Sequence, residues 1–468
     1  MNSQALLYII VLPIAWLVIR CFHATRSRQI VLLLTSYLLY ASWGIGFLGL
    51  LILSSTANHL LGRLLKARQS VGRLWLGILA NLALLGTFKY ARELLPLLGR
   101  TQLAPTIAHI VLPIGISFWT FQTLSYLLDI YRGEELDPSF TEFLLYMAFW
   151  PTVLSGPICR LSSLLLQLRS TENPTLNDAV RGMDRICVGL FMVALGEILA
   201  NGIHFDQGVD HAFQIFSPNF TGPDVWCLAF GYGFELFFNF AGYSHIVIGA
   251  ARLFGFELAE NFKAPYISTT PSEFWTRWHM SLSFWIRDYL FLPLAMFNRS
   301  KLWRNCTLVI SMLIFGLWHK GTPLLAIWGI YHGILLVLHR QWQELKRRLG
   351  WDFSGPIPNL ISWFITITSI CLGWIFFQSN ALTQAFDMLR SVIKVSSYSM
   401  ITLPHSLYFL VLVLVLGYLG TLKLGNLVTG RLNSFSIPTE VRFALYSTAI
   451  YVGVFHSAQT QAFAYFKF

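Results

Sequence analysis

Charge is scarce in this sequence. Only 12% of its 468 residues are Asp, Glu, Lys or Arg, where a soluble domain carries about 25%. A soluble chain of this size could not cover its surface with so few polar groups, which excludes a soluble enzyme, a disordered chain and a nucleic-acid-binding domain. Cysteine is also sparse. Cys21, Cys159, Cys187, Cys227, Cys306 and Cys371 lie at least 28 residues apart, and no CxxC or ligand spacing joins them. That argues against zinc, iron–sulfur and thioredoxin-like chemistry, and no metal site is expected. The sequence also lacks a GxSxG elbow, a P-loop and an HExxH pair. The GxGxxG match Gly44-Ile45-Gly46-Phe47-Leu48-Gly49 sits in apolar sequence without a βαβ context, so it carries no nucleotide-binding meaning.

Apolar residues are abundant. They make up 55% of the chain, with 38 Phe, 18 Tyr and 16 Trp, and the mean hydropathy is +0.59. Crossing a bilayer takes about 20 apolar residues. Candidate stretches are 5–20, 29–44, 46–62, 73–90, 106–131, 143–166, 183–202, 224–254, 304–319, 322–342, 359–378, 403–423 and 440–457. Some should be re-entrant or interfacial, leaving about 11 transmembrane helices. The expectation is an all-α polytopic membrane protein, with residues 1–468 forming a single integral membrane domain. Met1-Asn2-Ser3-Gln4 supplies no basic region ahead of the first stretch, which reads as an anchor rather than a cleaved signal. The sequon Asn219-Phe220-Thr221 is uninformative without knowing the host.

The net charge of +11 follows from short basic loops rather than from a nucleic-acid partner. Arg20, Arg26 and Arg28 follow the first stretch, and Arg63, Lys66, Arg68 and Arg73 follow the third. Both loops should face the cytoplasm, with the N-terminus outside and Lys346-Arg347-Arg348 marking a later cytoplasmic loop. Pro113-Ile114-Gly115, Pro151, Ser155-Gly156-Pro157 and Gly321-Thr322-Pro323 interrupt the apolar runs. Irregular backbone at membrane depth needs burial in protein or a wet cavity.

Polar chemistry concentrates in 231–333. Phe274-Trp275-Thr276-Arg277-Trp278-His279-Met280-Ser281-Leu282-Ser283-Phe284-Trp285-Ile286-Arg287-Asp288-Tyr289, read as one helix, sets Arg277, Ser281 and Asp288 on one stripe. At roughly 2.5–3.5 kcal/mol per charge at mid-bilayer, the segment belongs at the interface or beside a polar cavity. His319 closes the apolar run from Leu308 and opens Trp318-His319-Lys320-Gly321; Tyr331-His332-Gly333 follows. A neutral imidazole there suits a general base acting on a hydroxyl, and equally a structural hydrogen bond between helices. On one straight helix His319 and His332 would lie about 220° apart, but Pro323 interrupts it.

The stretch from Arg277 to Tyr289 closely resembles the signature of the membrane-bound O-acyltransferase (MBOAT) family, in the branch of the alginate O-acetylation and D-alanyl-teichoic acid transfer proteins. Phe121-Gln122-Thr123-Leu124-Ser125-Tyr126-Leu127-Leu128-Asp129-Ile130-Tyr131-Arg132-Gly133, Ser155-Gly156-Pro157-Ile158, Asn239-Phe240-Ala241-Gly242-Tyr243-Ser244, and Trp318-His319 with Tyr331-His332-Gly333 match in the same order over about residues 110–335. The resemblance implies a helical fold around a central tunnel, in a bacterial inner membrane. The donor would enter from the cytoplasm and the acceptor from outside. It implies His319 as the catalytic histidine and His279 as its donor-side assistant. Arg277, Trp278, Ser281, Arg287, Asp288, Trp318, Lys320, His332, Asn239 and Tyr243 are the expected substrate- or tunnel-lining residues. Lys320 and Arg277, beside the histidines, are candidates to steady an oxyanion or hold donor phosphate. No cofactor is expected to stay bound. An acyl thioester, acetyl-CoA or acyl carrier protein, would be the co-substrate, and a polysaccharide or extracytoplasmic helper protein the partner outside.

Three positions depart from that pattern. His245 stands where many relatives have an acid, Pro293-Leu294-Ala295-Met296-Phe297-Asn298 replaces a Gly-Gly pair, and Lys320 intervenes in Trp-His-Gly. Acetyl transfer to a polysaccharide is the leading reading, with D-alanyl transfer to teichoic acid as the alternative. A proton-coupled transporter is the reading from another class, but the chain shows no repeated halves of the kind transporters often carry.

Overall fold

The computed structural model describes residues 3–90, 111–170, 172–202, 207–215, 220–429 and 446–447. Among these, regular structure is entirely helical. Most of the stretch 440–457, residues 106–110 of the stretch 106–131 and Asn219 of the sequon lie outside the described residues. The chain divides into two compact units, each discontinuous in sequence: one built on Met1–Val188 and Ser244–Glu260, the other on Gly189–Tyr243 and Asn261–Ala449.

The first unit holds α1 (Ser3–Arg20), α2 (Thr25–Ala41), α3 (Ile45–Ala67), α4 (Val71–Lys89), α5 (Ile116–Tyr131), α6 (Phe140–Ala148), α7 (Trp150–Val153) and α8 (Leu161–Arg169). It also takes the start of α9 (Leu176–Asn201), which continues into the second unit. The apolar run of α3 continues in α4 after a short basic turn, where Ser70 accepts from the Arg73 amide. Inside, Asn58 and Asn81 exchange side-chain hydrogen bonds of 3.2 and 2.8 Å between these two helices. Gln29 of α2 donates to the Leu168 carbonyl at 3.0 Å.

The basic loops gather at one end of this unit. Lys66 pairs with Asp137 at 3.1 Å, and Arg169 donates to the Asp137 carbonyl at 2.7 Å. Arg28 donates to the Glu172 carbonyl at 3.0 Å. The turn after α1 thus meets the segment that follows α8, the end of α3 meets the segment that precedes α6, and Arg169 of α8 ties that second segment to its own helix.

The second unit continues through α10 (Val209–Gln214) and α11 (Gly222–Leu253), whose last residues belong to the first unit. It goes on with α12 (Pro271–Trp275), α13 (Met280–Ile286), α14 (Leu292–Met296), α15 (Lys301–His319), α16 (Pro323–Leu349), α17 (Pro356–Gln378), α18 (Leu382–Ile393) and α19 (His405–Thr429). Buried Asp224 fastens α11 to α19, accepting from the amide and hydroxyl of Thr221 and of Thr402, the Leu403 amide and the Tyr408 hydroxyl.

Among the described residues, α3, α4, α16 and α17 are long and apolar enough to cross a membrane, and Leu6–Arg20 and His405–Gly420 are shorter apolar helices. Two stretches are broken, one where the sequence already marks interruptions and one read as a single helix. The stretch 143–166 becomes α6, α7 and α8, because Pro151 restarts the chain at Trp150 and Ser155-Gly156-Pro157 leaves 154–160 non-helical. The stretch 274–289 is also divided. α12 ends at Trp275 and α13 begins at Met280, so Arg277, Ser281 and Asp288 do not form one helical stripe. Arg287–Phe291 then winds as a π turn, with the Leu292 amide bonded to the Arg287 carbonyl. Pro293 has no amide to offer the Tyr289 carbonyl, which displaces the ladder into the wider register.

Candidate active site

All the sequence-nominated residues belong to the second unit. The core of the site is the hairpin of α15 and α16. Gly329 and Gly333 form a small-xxx-small pair on α16. A Cβ on Gly333 would sit 2.7 Å from the Val309 Cα, and one on Gly329 2.9 Å from the Leu313 Cα. Such backbone approach brings the two histidines of separate helices to one tryptophan. The ring of Trp328 lies 5.7 Å from His319 and 4.9 Å from His332, edge-to-face with both. The single-helix estimate of opposite faces therefore does not apply.

His319 is the last residue of α15 and is half-buried. Phe315 stacks on it at 5.3 Å, while Trp318 at 4.7 Å and Phe377 at 5.0 Å meet it edge-on. Lys320 follows in extended backbone and is exposed. His332 is completely buried among Trp275 (5.2 Å), Trp328, Tyr331 (5.4 Å) and Trp374 (6.2 Å). Neither of its ring nitrogens has a hydrogen-bond partner among the described residues. A buried imidazole without a partner carries a desolvation penalty of about 1–3 kcal/mol.

His279 sits in a separate loop. Its φ is +41°, a left-handed conformation uncommon outside glycine, Asn and Asp. Ala264, at +48°, is the other non-glycine residue with positive φ among the described residues, so both strained positions frame this segment. Asn261, fully buried, holds the turn: its carbonyl accepts from the Met280 amide at 2.8 Å and its side-chain oxygen from the Ser281 hydroxyl at 2.6 Å. The Lys263 amide donates to the Arg277 carbonyl at 2.9 Å. Both His279 nitrogens are buried without partners among the described residues, and its ring meets Phe240 of α11 at 4.7 Å. Strain and unsatisfied polar atoms at one residue are marks of a functional position.

The remaining nominated residues divide. Trp278 packs on Phe262 (5.1 Å), Phe274 (5.4 Å) and Trp374 (5.0 Å). Trp374 stacks on Trp328 at 5.9 Å, so a chain of tryptophans joins the His279 turn to the His319–His332 pair. Trp318 is buried against His319. Arg277 is engaged by Glu273 at 2.9 Å and by the Lys263 carbonyl at 3.1 Å. Arg287 pairs with Asp288 at 2.7 Å and lies over the Phe284 ring. Asn239 is buried on α11 with its side-chain oxygen unpartnered among the described residues, and Tyr243, one turn on, is half-buried. His245, one of the departures from the pattern, falls in the first unit.

Sequence reasoning missed Trp374, Phe377 and Asn261. The first two lie in an apolar stretch that signals only a span. Asn261 offered one cue, an amide in the polar-rich segment just before the Arg-Trp-His turn.

Comparison with known proteins decides the family. The model for the MBOAT, membrane-bound O-acyltransferase family matches residues 71–382, well over half of the chain. The chain belongs to the membrane-bound O-acyltransferase family. It is 33% identical to the probable alginate O-acetylase AlgI of Pseudomonas aeruginosa, over 80% of this chain and 71% of that protein. It is 32% identical to a peptidoglycan O-acetyltransferase of Helicobacter pylori, over 79% and 74%. With a teichoic acid D-alanyltransferase of Streptococcus thermophilus it shares 32% identity over 57% and 68%. This MBOAT protein is an O-acyltransferase and a membrane protein, so the transporter reading gives way.

Proposed function

We propose that this MBOAT protein moves an acetyl group from a cytoplasmic thioester toward hydroxyls of an extracytoplasmic polysaccharide. It would act as one multi-pass domain of about 11 spans in a bacterial inner membrane. The observation carrying the reading is the His319–Trp328–His332 cluster, where a half-buried imidazole ends a helix inside aromatic walls. Acetyl is preferred over D-alanyl because the O-acetylase relatives align over 78% to 80% of this chain and the D-alanyltransferases over 57% and 62%.

On this reading His319 takes the proton of the acceptor hydroxyl as its oxygen attacks the thioester carbonyl. The ester C–O bond forms, the C–S bond breaks, and the proton passes to the departing thiolate. General-base assistance of this kind contributes about 10²–10⁴-fold, and holding both reactants in contact supplies much of the rest. His279 assists on the donor side. An acetyl-CoA or carrier-protein thioester is the donor, and a helper protein outside completes transfer if the acceptor is not reached directly.

The test compares alkali-labile acetate on surface polysaccharide in cells with the wild-type protein, with His319→Ala at matched membrane levels, or with neither. Loss in both the deletion and the variant supports the proposal. Acetate unchanged in the deletion refutes acetyl transfer and directs the measurement to ester-linked D-alanine. Loss only in the deletion removes His319 from the mechanism.

A further inference from the structure

Away from the histidines, the far end of the α15–α16 hairpin carries a cleft of 390 Å³ lined by Lys301, Arg304, Arg340, Glu344 and Arg347, with amide side chains between them. That volume is near the lower end of the ~300–1,000 Å³ typical of ligand sites. Its charge is unbalanced. Glu344 is the lone carboxylate among the lining residues, and it is already engaged by Lys301 and by Arg348, the latter at 2.6 Å. No carboxylate among the described residues pairs with Arg304, Arg340 or Arg347. Arg304 and Arg340 are half-buried at the cleft, and the Arg304 Nε is shielded from solvent with no acceptor among the described residues. Three guanidinium groups lining one cleft with no carboxylate paired to them among the described residues make a receptor for a compact polyanion, and guanidinium forks match phosphate oxygens in pairs.

The surroundings indicate where that phosphate comes from. α16 spans 27 residues, about 40 Å at 1.5 Å per residue, against a hydrocarbon core of about 30 Å. Its basic C-terminal end, with Arg347 in the last turn and Arg340 about two turns earlier, therefore reaches toward headgroup depth, beside Arg304 at the start of α15. Beside them Leu302, Leu338 and Leu345 are exposed. Exposed Trp342 stacks on Phe353 at 6.1 Å and meets Trp351 at 6.3 Å. An aromatic cluster at a span's end is the pattern of a membrane interface.

We propose that this cleft binds the phosphate of an anionic phospholipid headgroup, with the lipid's chains running along the exposed leucines. The site is separate from the histidine cluster and does not depend on the acyl-transfer reading. The full-length protein, purified in neutral detergent, would be titrated with phosphatidylglycerol or phosphatidylcholine of matched chains, bound lipid being counted by native mass spectrometry.

Selective phosphatidylglycerol binding is expected. Arg304→Gln with Arg340→Gln should weaken it about 30-fold, taking each surface-proximal cation at its usual worth to an anionic headgroup. Glu344→Gln should strengthen it, so the sign of a second variant decides the question even if the double variant does not fold. Equal retention of the two lipids, or an undiminished affinity in the folded double variant, overturns the proposal. Inorganic pyrophosphate or coenzyme A binding in an arginine-dependent manner, with phosphatidylglycerol failing to compete, assigns the cleft to a soluble phosphate and overturns the lipid assignment.

Discussion

Gly373 of α17 offers the sharpest test of how the histidine cluster is held. A Cβ at that position would lie 2.7 Å from the His332 Nε2 and 3.2 Å from the Tyr331 Cε1. Comfortable contact for such atoms is about 3.5 Å, so Gly373→Ala drives a methyl about 0.8 Å into the imidazole. The ring cannot retreat, since it is fully buried between Trp275, Trp328 and Trp374. Tyr331 is fixed by its hydroxyl on the Ser369 carbonyl at 2.7 Å. Overpacking of this kind costs about 1–3 kcal/mol. The displacement passes to Trp328, which also walls His319, and a shift near 1 Å at a reacting group costs up to about 100-fold in rate. Gly373→Ala should therefore lower the thermal midpoint in detergent and reduce acyl-transfer turnover about 10–100-fold while the protein remains folded. The decisive assay is a double-mutant cycle with His332→Ala, which removes the struck side chain. The stability cost of Gly373→Ala should largely vanish in that background. An equal cost in both backgrounds, or an unaltered turnover beside a lowered midpoint, would refute the reasoning.

Other outcomes can be checked independently. The Glu142 carboxyl is held down to about 2 from 4.5, first by the Arg169 guanidinium bonded to it at 2.8 and 2.9 Å and then by the Ser139 amide. Because its folded value is depressed, its stabilisation is complete above about 4.5 and drains away as pH falls toward 2. Thermal midpoints of the wild type should drop more steeply than those of Glu142→Gln between about pH 5 and pH 3. Asn81→Ala, which breaks the reciprocal bonds to Asn58, should cost about 1 kcal/mol in a denaturation assay and little more when Asn58 is also changed to Ala. Cys21 is exposed in the loop after α1 and Cys371 is buried. An impermeant maleimide should thus label Cys21 in inside-out but not right-side-out vesicles, and Cys371 in neither; the reverse pattern for Cys21 would invert the orientation read from the basic loops.

The long apolar helices were legible because length and hydropathy alone define them: α3, α4, α16 and α17 fall where their stretches lie. The histidine motifs were legible because an ionisable group at the end of an apolar run is rare enough to stand out. The breaks were harder. Periodicity across 274–289 favours one helix, and only hydrogen bonds from Asn261 and Lys263, distant in sequence, turn the chain at His279. The aromatic walls were illegible for a related reason. Trp374 and Phe377 become site residues through packing of α17 on the hairpin, and nothing local distinguishes them from other aromatics in a span.

The left-handed backbone at position 279 has an evolutionary corollary. Asparagine or glycine would occupy that conformation with less strain, and neither would bury an imidazole with two idle nitrogens. A laboratory selection for thermal stability alone should therefore drift away from histidine there, discarding the group proposed to assist on the donor side while leaving the helices intact. Stabilised variants of this acyltransferase would need a parallel screen for turnover, because a residue proposed to serve its chemistry is among the first that robustness would replace.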